Sequence, residues 1–312
     1  MASTKKSYDP TEIVGEILGV PASLRPVVAE EKSAQICPFI KKKCAKDGRP
    51  ICSFWERSGD SKAGYARRLV ATCPKRFYQS DFLGDVIQEC WPDVDSTNVQ
   101  VLSEVDLPEF GRIDFVAVAF DADGNVENFL PIEVQAIDIT SPKPLNAAYQ
   151  ALYKHNHSDK APTTGGNWDN VYKRYVTQLV RKGFVAHSWG TKIVAVIQDE
   201  FFDYMFEKYP FMKGNAGDAE TNILFFTYKF SPDAPISSGE HTLSLDEVHG
   251  TNHASLQSAH LYKKSPTKPE FAAALVERLT QRQKNRAKFV DKHGKGAVTT
   301  FSKFEVFTSK GD

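Results

Sequence analysis

The chain has 312 residues, with 39 Lys and Arg balanced by 39 Asp and Glu, 41% hydrophobic and 25% charged residues. That length and composition suit a soluble globular protein with a sizeable core, and five cysteines in a chain without a signal argue against a disulfide scaffold. No stretch nears the ~18 apolar residues that span a bilayer, and the start MASTKKSYDP has no apolar signal region, so the expectation is a cytoplasmic protein without a membrane partner.

Residues 1–35 read as a helical lead-in, because PTEIVGEILGV carries apolar residues at helical spacing. Residues 36–79 are rich in Cys, Lys, Arg, Gly and Pro and show little periodicity. A helix is predicted in QSDFLGDVIQECW (79–91), with Asp81 as N-cap and Phe82, Val86 and Cys90 on one stripe. Three strands follow, at 98–107, 111–120 and 129–139. The link DADGNVEN (121–128) joins the last two as an antiparallel hairpin.

PLNAAYQALYKH (144–155) predicts a helix with Pro144 in its first turn. A polar, Gly-rich loop follows at 156–170, and His155 and His157 read as loop residues rather than ligands. A further helix, 169–182, is closed by Gly183. Its apolar stripe is Val171, Tyr172, Tyr175, Val176, Leu179 and Val180, and Lys173, Arg174, Thr177, Gln178 and Arg181 lie on the other side. TKIVAVIQ (191–198) is a strand buried on both faces, FFDYMFEKYPF is helical, and NILFFTYKF (222–230) is another strand. No internal repeat is visible. This order predicts an α/β fold with a mixed sheet flanked by helices. The division expected is a lead-in at 1–35, a cysteine segment at 36–79 and a main domain with C-terminal extension at 80–312.

Asp114 and Glu133 interrupt apolar strands. Side chains two apart share a strand face, so one register gathers Glu104, Asp114, Glu133 and Gln135 at neighbouring positions. Clustered carboxylates repel and need compensation, which a divalent metal supplies; solvent-facing strand edges are the alternative. Oxygen ligands suit Mg²⁺, and hydrolysis of a phosphodiester is the chemistry that follows.

Cys37, Cys44, Cys52 and Cys73 can form a closed tetrahedral metal site, although their spacing is equally that of unrelated free thiols. Cys90 reads as a core residue. Lys41 to Lys43, Lys46, Arg49, Lys75 and Arg76 can contact phosphates or line a solvated loop. Arg174, Gln178 and Arg181 form a helix face able to read base edges or simply to meet water. Zero net charge leaves a polyanion partner open, and ten Lys and Arg against three acids between Lys263 and Lys295 fit a solvated helix and tail.

Asp114 followed by IEVQ resembles the PD-(D/E)xK nuclease signature, with Gln135 in place of the Lys and no Pro before the Asp. The stretches CPFIKKKC…GRPICSFWE…TCPKRF (37–77), IEVQAIDIT (132–140) and NWDNVYKRYVTQLVRKG (167–183) are similar to restriction endonucleases related to NotI. The resemblance covers roughly 37–198 and leaves the C-terminal third unplaced. It implies a restriction-endonuclease-like fold with an N-terminal four-cysteine segment holding structural iron or zinc. Asp114 and Glu133 would ligate Mg²⁺, Gln135 would position the attacking water, and Glu104 would be an additional acid.

The implied function is a type II restriction endonuclease that cuts both strands of a GC-rich palindrome in double-stranded DNA, leaves 5′-phosphates and works as a homodimer. A repair or structure-selective nuclease and a non-cleaving DNA-binding protein are the alternatives.

Overall fold

The computed structural model describes residues 9–24, 35–46, 48–58, 66–108, 110–154, 164–231, 241–262 and 266–293. The described residues up to Leu261 pack as one unit and those from Tyr262 onward as another.

Among the described residues the first unit holds two sheets. The smaller has strand order β2-β1-β3-β4, from β1 (Val14–Ile17), β2 (Val20–Pro21), β3 (Ile51–Ser58) and β4 (Ala66–Ala71), all antiparallel. The larger has the order β10-β9-β8-β7-β6-β5. Its strands are β5 (Val99–Leu107), β6 (Gly111–Phe120), β7 (Val126–Gln135), β8 (Ile193–Gln198), β9 (Ile223–Phe230) and β10 (Leu243–Thr251). Pairing is antiparallel from β5 to β7, parallel from β7 to β9, and antiparallel again at β10. The mixed sheet expected from the sequence is therefore present.

Alternation along the strands feeds two cores. Ile193, Ala195 and Ile197 of β8 face one, with Val171, Tyr172, Tyr175, Val176 and Leu179 of α3 (Trp168–Ser188). Val194 and Val196 face the other, with Phe77 and with Phe82 and Val86 of α1 (Phe82–Cys90). The continuous apolar run of β8 is thus explained by burial on both faces. Asp81 caps α1 by accepting from the Gly84 amide at 3.2 Å. In the 121–125 turn Asp121 accepts the Asp123 and Asn125 amides at 2.9 and 2.8 Å. The remaining helices of this unit are α2 (Pro142–Lys154), α4 (Asp199–Lys208) and α5 (His253–Leu261).

Three expectations need correction. The described part of the lead-in, 9–24, is a 3₁₀ turn (Pro10–Glu12) and the β1–β2 hairpin, not a helix. Gly19 (φ 75°) and Leu18 (φ 48°) make a left-handed turn there, and Val14, Ile17 and Val20 favour extended backbone. The cysteine segment contains β3 and β4, whose short, charge-interrupted runs hid their alternation. Gly183 does not close α3, which continues to Ser188. A Cβ at Gly183 would lie 2.8 Å from Ile223, so this glycine serves a close helix–sheet approach. His155 and His157 lie outside the described residues.

In the second unit α6 (Lys268–His293) carries most of the basic segment and opens with a capping box. Glu270 accepts the Thr267 amide at 2.7 Å, and the Glu270 amide returns to the Thr267 hydroxyl at 3.4 Å.

Candidate active site

β7 changes partners at the site. Its antiparallel pairing with β6 ends at Phe115 opposite Ile132, while its parallel pairing with β8 runs on to Gln135 opposite Ile197. Asp114 and Glu133 are the next opposed positions, at the mouth of the divergence. The Asp114 carboxylate accepts the Val134 amide at 2.8 Å and so occupies the place of a strand carbonyl.

A cavity of about 360 Å³ opens there, lined by Asp114, Glu133 and Gln135 from the strands and by Tyr175, Gln178 and Lys182 from α3. The helical residues are three and four apart and share one face. Glu133 is buried, and its carboxylate takes the ammonium of buried Lys182. Burial raises the Glu133 carboxyl above its usual range; the Lys182 bond opposes this and the Asp114 charge adds to it. Lys182 also donates to the Arg112 carbonyl at 2.6 Å. The Tyr175 hydroxyl is buried with no hydrogen-bond partner. Burial, then the charges of Glu133 and Asp114, push its phenol well above the ordinary value. Gln135 donates its amide to the Ala136 carbonyl, which leaves its Oε1 as an acceptor.

Glu104 stands opposite Asp114 in register, between the pairs Ser103–Phe115 and Val105–Ile113. Its backbone is left-handed (φ 55°), which breaks strand alternation at that residue. Its exposed carboxylate accepts from Arg112 Nε at 2.7 Å and lies 3.9 Å from Lys75. The cavity therefore brings together Asp114, Glu133 and Gln135, with Glu104 joined to them through Arg112.

Among the basic candidates, Gln178 lines the cavity, Arg174 pairs with Asp138, and Arg181 is exposed. Lys75 is hydrogen-bonded to the Tyr78 hydroxyl at 2.8 Å. Arg76 is corrected: it is fully buried, with Nε 2.8 Å and Nη2 2.9 Å from Glu16, and cannot meet a phosphate. A second cavity of about 560 Å³ shares Thr72 and Asp138 with the first and adds Lys46, Arg49, Asn146 and Asn167. Lys46 donates to the carbonyls of Ile51 and Thr72 at 2.8 and 2.9 Å.

None of the five cysteines forms a disulfide. Cys37 and Cys44 close a tight loop, with the Cys37 amide on the Lys42 carbonyl and the Cys44 amide on that of Gln35. Cys52 is on β3, and Cys73 precedes the 3₁₀ turn Pro74–Gln79. Burial pushes the Cys52 thiol up to about 12, with Cys73 adding to the rise, and Cys73 is raised by burial and by Cys37 and Cys44. Among the described residues no group of three or more His, Cys, Asp or Glu is arranged to hold a metal. Cys90 packs against the α1 core, and burial pushes its thiol up to about 12.

Lys182 and Tyr175 join the site without belonging to the strand pattern that marks the carboxylates. Their signal was present: Lys182 lies three residues after Leu179 and seven after Tyr175, a charge on the buried stripe.

Among the described residues no helix is long and apolar enough to cross a membrane. A family model described as Restriction endonuclease NotI matches residues 22–243. No curated protein and no solved structure gives a significant match.

Proposed function

Because the chain belongs to the NotI restriction endonuclease family, we propose that the cavity between β6, β7 and α3 is its cleavage centre, working with Mg²⁺. The enzyme is a type II, sequence-specific deoxyribonuclease acting on DNA; that membership sets aside the repair-nuclease and non-cleaving alternatives. The observation that carries the site is the opposition of Asp114 and Glu133 where β6 and β7 part.

The donor set fits the metal. Two carboxylates supply hard oxygen ligands, and an unpartnered buried Tyr175 hydroxyl faces the same space as a partner for water. Asp114 and Glu133 would hold Mg²⁺ there, and the ion would supply neutralisation of phosphate charge and a more acidic water. Asp114 is held by the Val134 amide, which fixes its remaining oxygen relative to Glu133. Gln135 orients the attacking water through Oε1 and is no base at neutral pH. Glu104 is an outer acid that holds Arg112, whose carbonyl in turn anchors Lys182. Attack breaks the bond from phosphorus to the 3′-oxygen and leaves a 5′-phosphate. Lys75 and the α3 face of Arg174, Gln178 and Arg181 are the DNA contacts we propose.

Four further points complete the reading. A GC-rich palindrome as target and a homodimer to match its symmetry follow from the resemblance. The protein acts in the cytoplasm. That Cys37, Cys44, Cys52 and Cys73 hold one structural iron or zinc also follows from the resemblance; the charge interaction of Cys73 with each of the other three thiols supports it.

The test is cleavage of mixed plasmid DNA with Mg²⁺. Discrete, reproducible fragments are expected from the wild type. Glu133→Gln and Asp114→Asn should bind DNA in Ca²⁺ and not cut; full cleavage by either variant would refute the site.

A further inference from the structure

The strand that carries Glu133 offers a neutral glutamine at the next position on its face, and the helix across the cavity offers an ammonium. We propose that Lys182 is a catalytic residue: it meets the scissile phosphate and the attacking water, supplying the positive charge that Gln135 does not. This rests on Asp114 and Glu133 being the cleavage carboxylates.

The geometry makes the case. Lys182 continues the face of Tyr175 and Gln178 and reaches the Glu133 carboxylate from the far wall of the cavity. An ammonium has three N–H donors. The Arg112 carbonyl fixes one at 2.6 Å, Glu133 takes another, and the third is available to an anion entering the cavity. The other cation lining the cavity, Arg112, is exposed and held by Glu104.

Energetics point the same way. Lys182 stands on the buried stripe between Leu179 and Ala186, where a leucine would pack without the desolvation an ammonium suffers. Phe110 shields the ammonium, with its ring 5.6 Å from Nζ, so the charge acts in a medium of low polarity. A lysine in that place is suited to an anionic substrate.

In the reaction, the water oxygen forms the new bond to phosphorus as the bond to the 3′-oxygen breaks. The proton of the attacking water passes to solvent, and the leaving oxygen takes one from solvent. Negative charge grows on the phosphate oxygens meanwhile, and a preorganised ammonium stabilises it.

The experiment compares Lys182→Met, Lys182→Arg and the double variant Lys182→Met/Gln135→Lys with the wild type, on plasmid DNA that the wild type cuts. Four quantities are read: the melting temperature, Ca²⁺ affinity by calorimetry, the maximal single-turnover rate and the Mg²⁺ concentration at half-maximal rate. Lys182→Met should bind Ca²⁺ at least as tightly as the wild type and cut at least about a hundredfold more slowly at saturating Mg²⁺. Gln135→Lys should then recover about tenfold or more.

Lys182→Arg retains the positive charge but changes the donor geometry, and the folded variant should lose about tenfold in maximal rate. A lysine that only balances Glu133 until a cation arrives gives the opposite: unchanged maximal rate in Lys182→Met or Lys182→Arg, with saturation at lower Mg²⁺. That outcome, or no gain from Gln135→Lys in the folded double variant, overturns the proposal. If Lys182→Met does not fold, Lys182→Arg decides by the same criterion. Glu133→Gln and Asp114→Asn run alongside. If they cut, the cleavage site is wrong; if they are dead while the lysine variants are fully active, only the role of Lys182 fails.

Discussion

The Asp114 carboxylate receives the Val134 amide just beyond the last paired residues of β6 and β7. One side chain therefore finishes the sheet and furnishes the site. Asp114→Asn keeps an oxygen acceptor, so its stability should stay within about 1 kcal/mol of wild type while cleavage falls at least about a hundredfold. Asp114→Ala should lose cleavage as well and a further ~1–3 kcal/mol, since the Val134 amide is left without a partner. Urea unfolding beside a cleavage assay measures both; an Ala variant as stable as the wild type would contradict the structural half.

The strands around this pair were legible because alternation is a local signal. Strands β6 and β7 are apolar on both sides of their acids, and the Asp-Gly turn between them announces the hairpin. The lysine was harder to see, since a helix stripe reports burial and not what lies across from it. Lys182 looked like the charged end of a helix because Gly183 looked like its cap. Only the Ile223 contact shows that this glycine lets the helix approach the sheet and carries Lys182 to Glu133. Arg76 failed for a similar reason: its partner Glu16 is sixty residues away, on a strand whose helical-looking spacing concealed it.

Arg76 ties the 3₁₀ turn Pro74–Gln79 to β1 with both partners fully buried, and Ser53 donates to the same carboxylate at 2.7 Å. Arg76→Met should cost about 3–5 kcal/mol, chiefly because Glu16 is left charged and unpaired. The salt dependence of DNA binding should not change in the folded fraction. Lys75→Ala should do the reverse, leaving stability near wild type and reducing the slope of log affinity against log salt by about one. Equal salt slopes for wild type and Lys75→Ala would remove Lys75 from the interface.

The proposal of a four-cysteine metal site predicts metal in the protein as purified. Elemental analysis of material prepared without chelator should find about one iron or zinc per chain, and Cys52→Ser or Cys73→Ser should lose it. Stripping the metal should lower the melting temperature, because the metal would tie the loop of Cys37 and Cys44 to Cys52 on β3 and to Cys73 just after β4. Metal-free wild-type protein that melts where the untreated protein does would leave these residues as ordinary thiols.

Glu200 predicts a stability that declines toward alkaline pH. Burial, then the hydrogen bond and charge of Asp199, push its carboxyl up to about 9, while the Gln198 amide opposes the rise. Gln198 is the clamp between the sheets: its side chain accepts the Ala71 amide at 2.9 Å and donates to the Leu69 carbonyl at 2.7 Å. The nearby cation, Lys229, lies 3.8 Å from Asp199 rather than on Glu200. A carboxyl whose folded pKa exceeds its unfolded value holds its proton in the native state. Its contribution is complete below the usual carboxylate range and falls as pH rises toward about 9. The slope from this one group is at most about 1.4 kcal/mol per pH unit. Glu200→Gln keeps a hydrogen-bonding amide without the charge, so it should match the wild type near pH 4 and exceed it at pH 8. Denaturant unfolding at the two values checks this, and parallel pH profiles for the two proteins would show that Glu200 ionises freely in the native state.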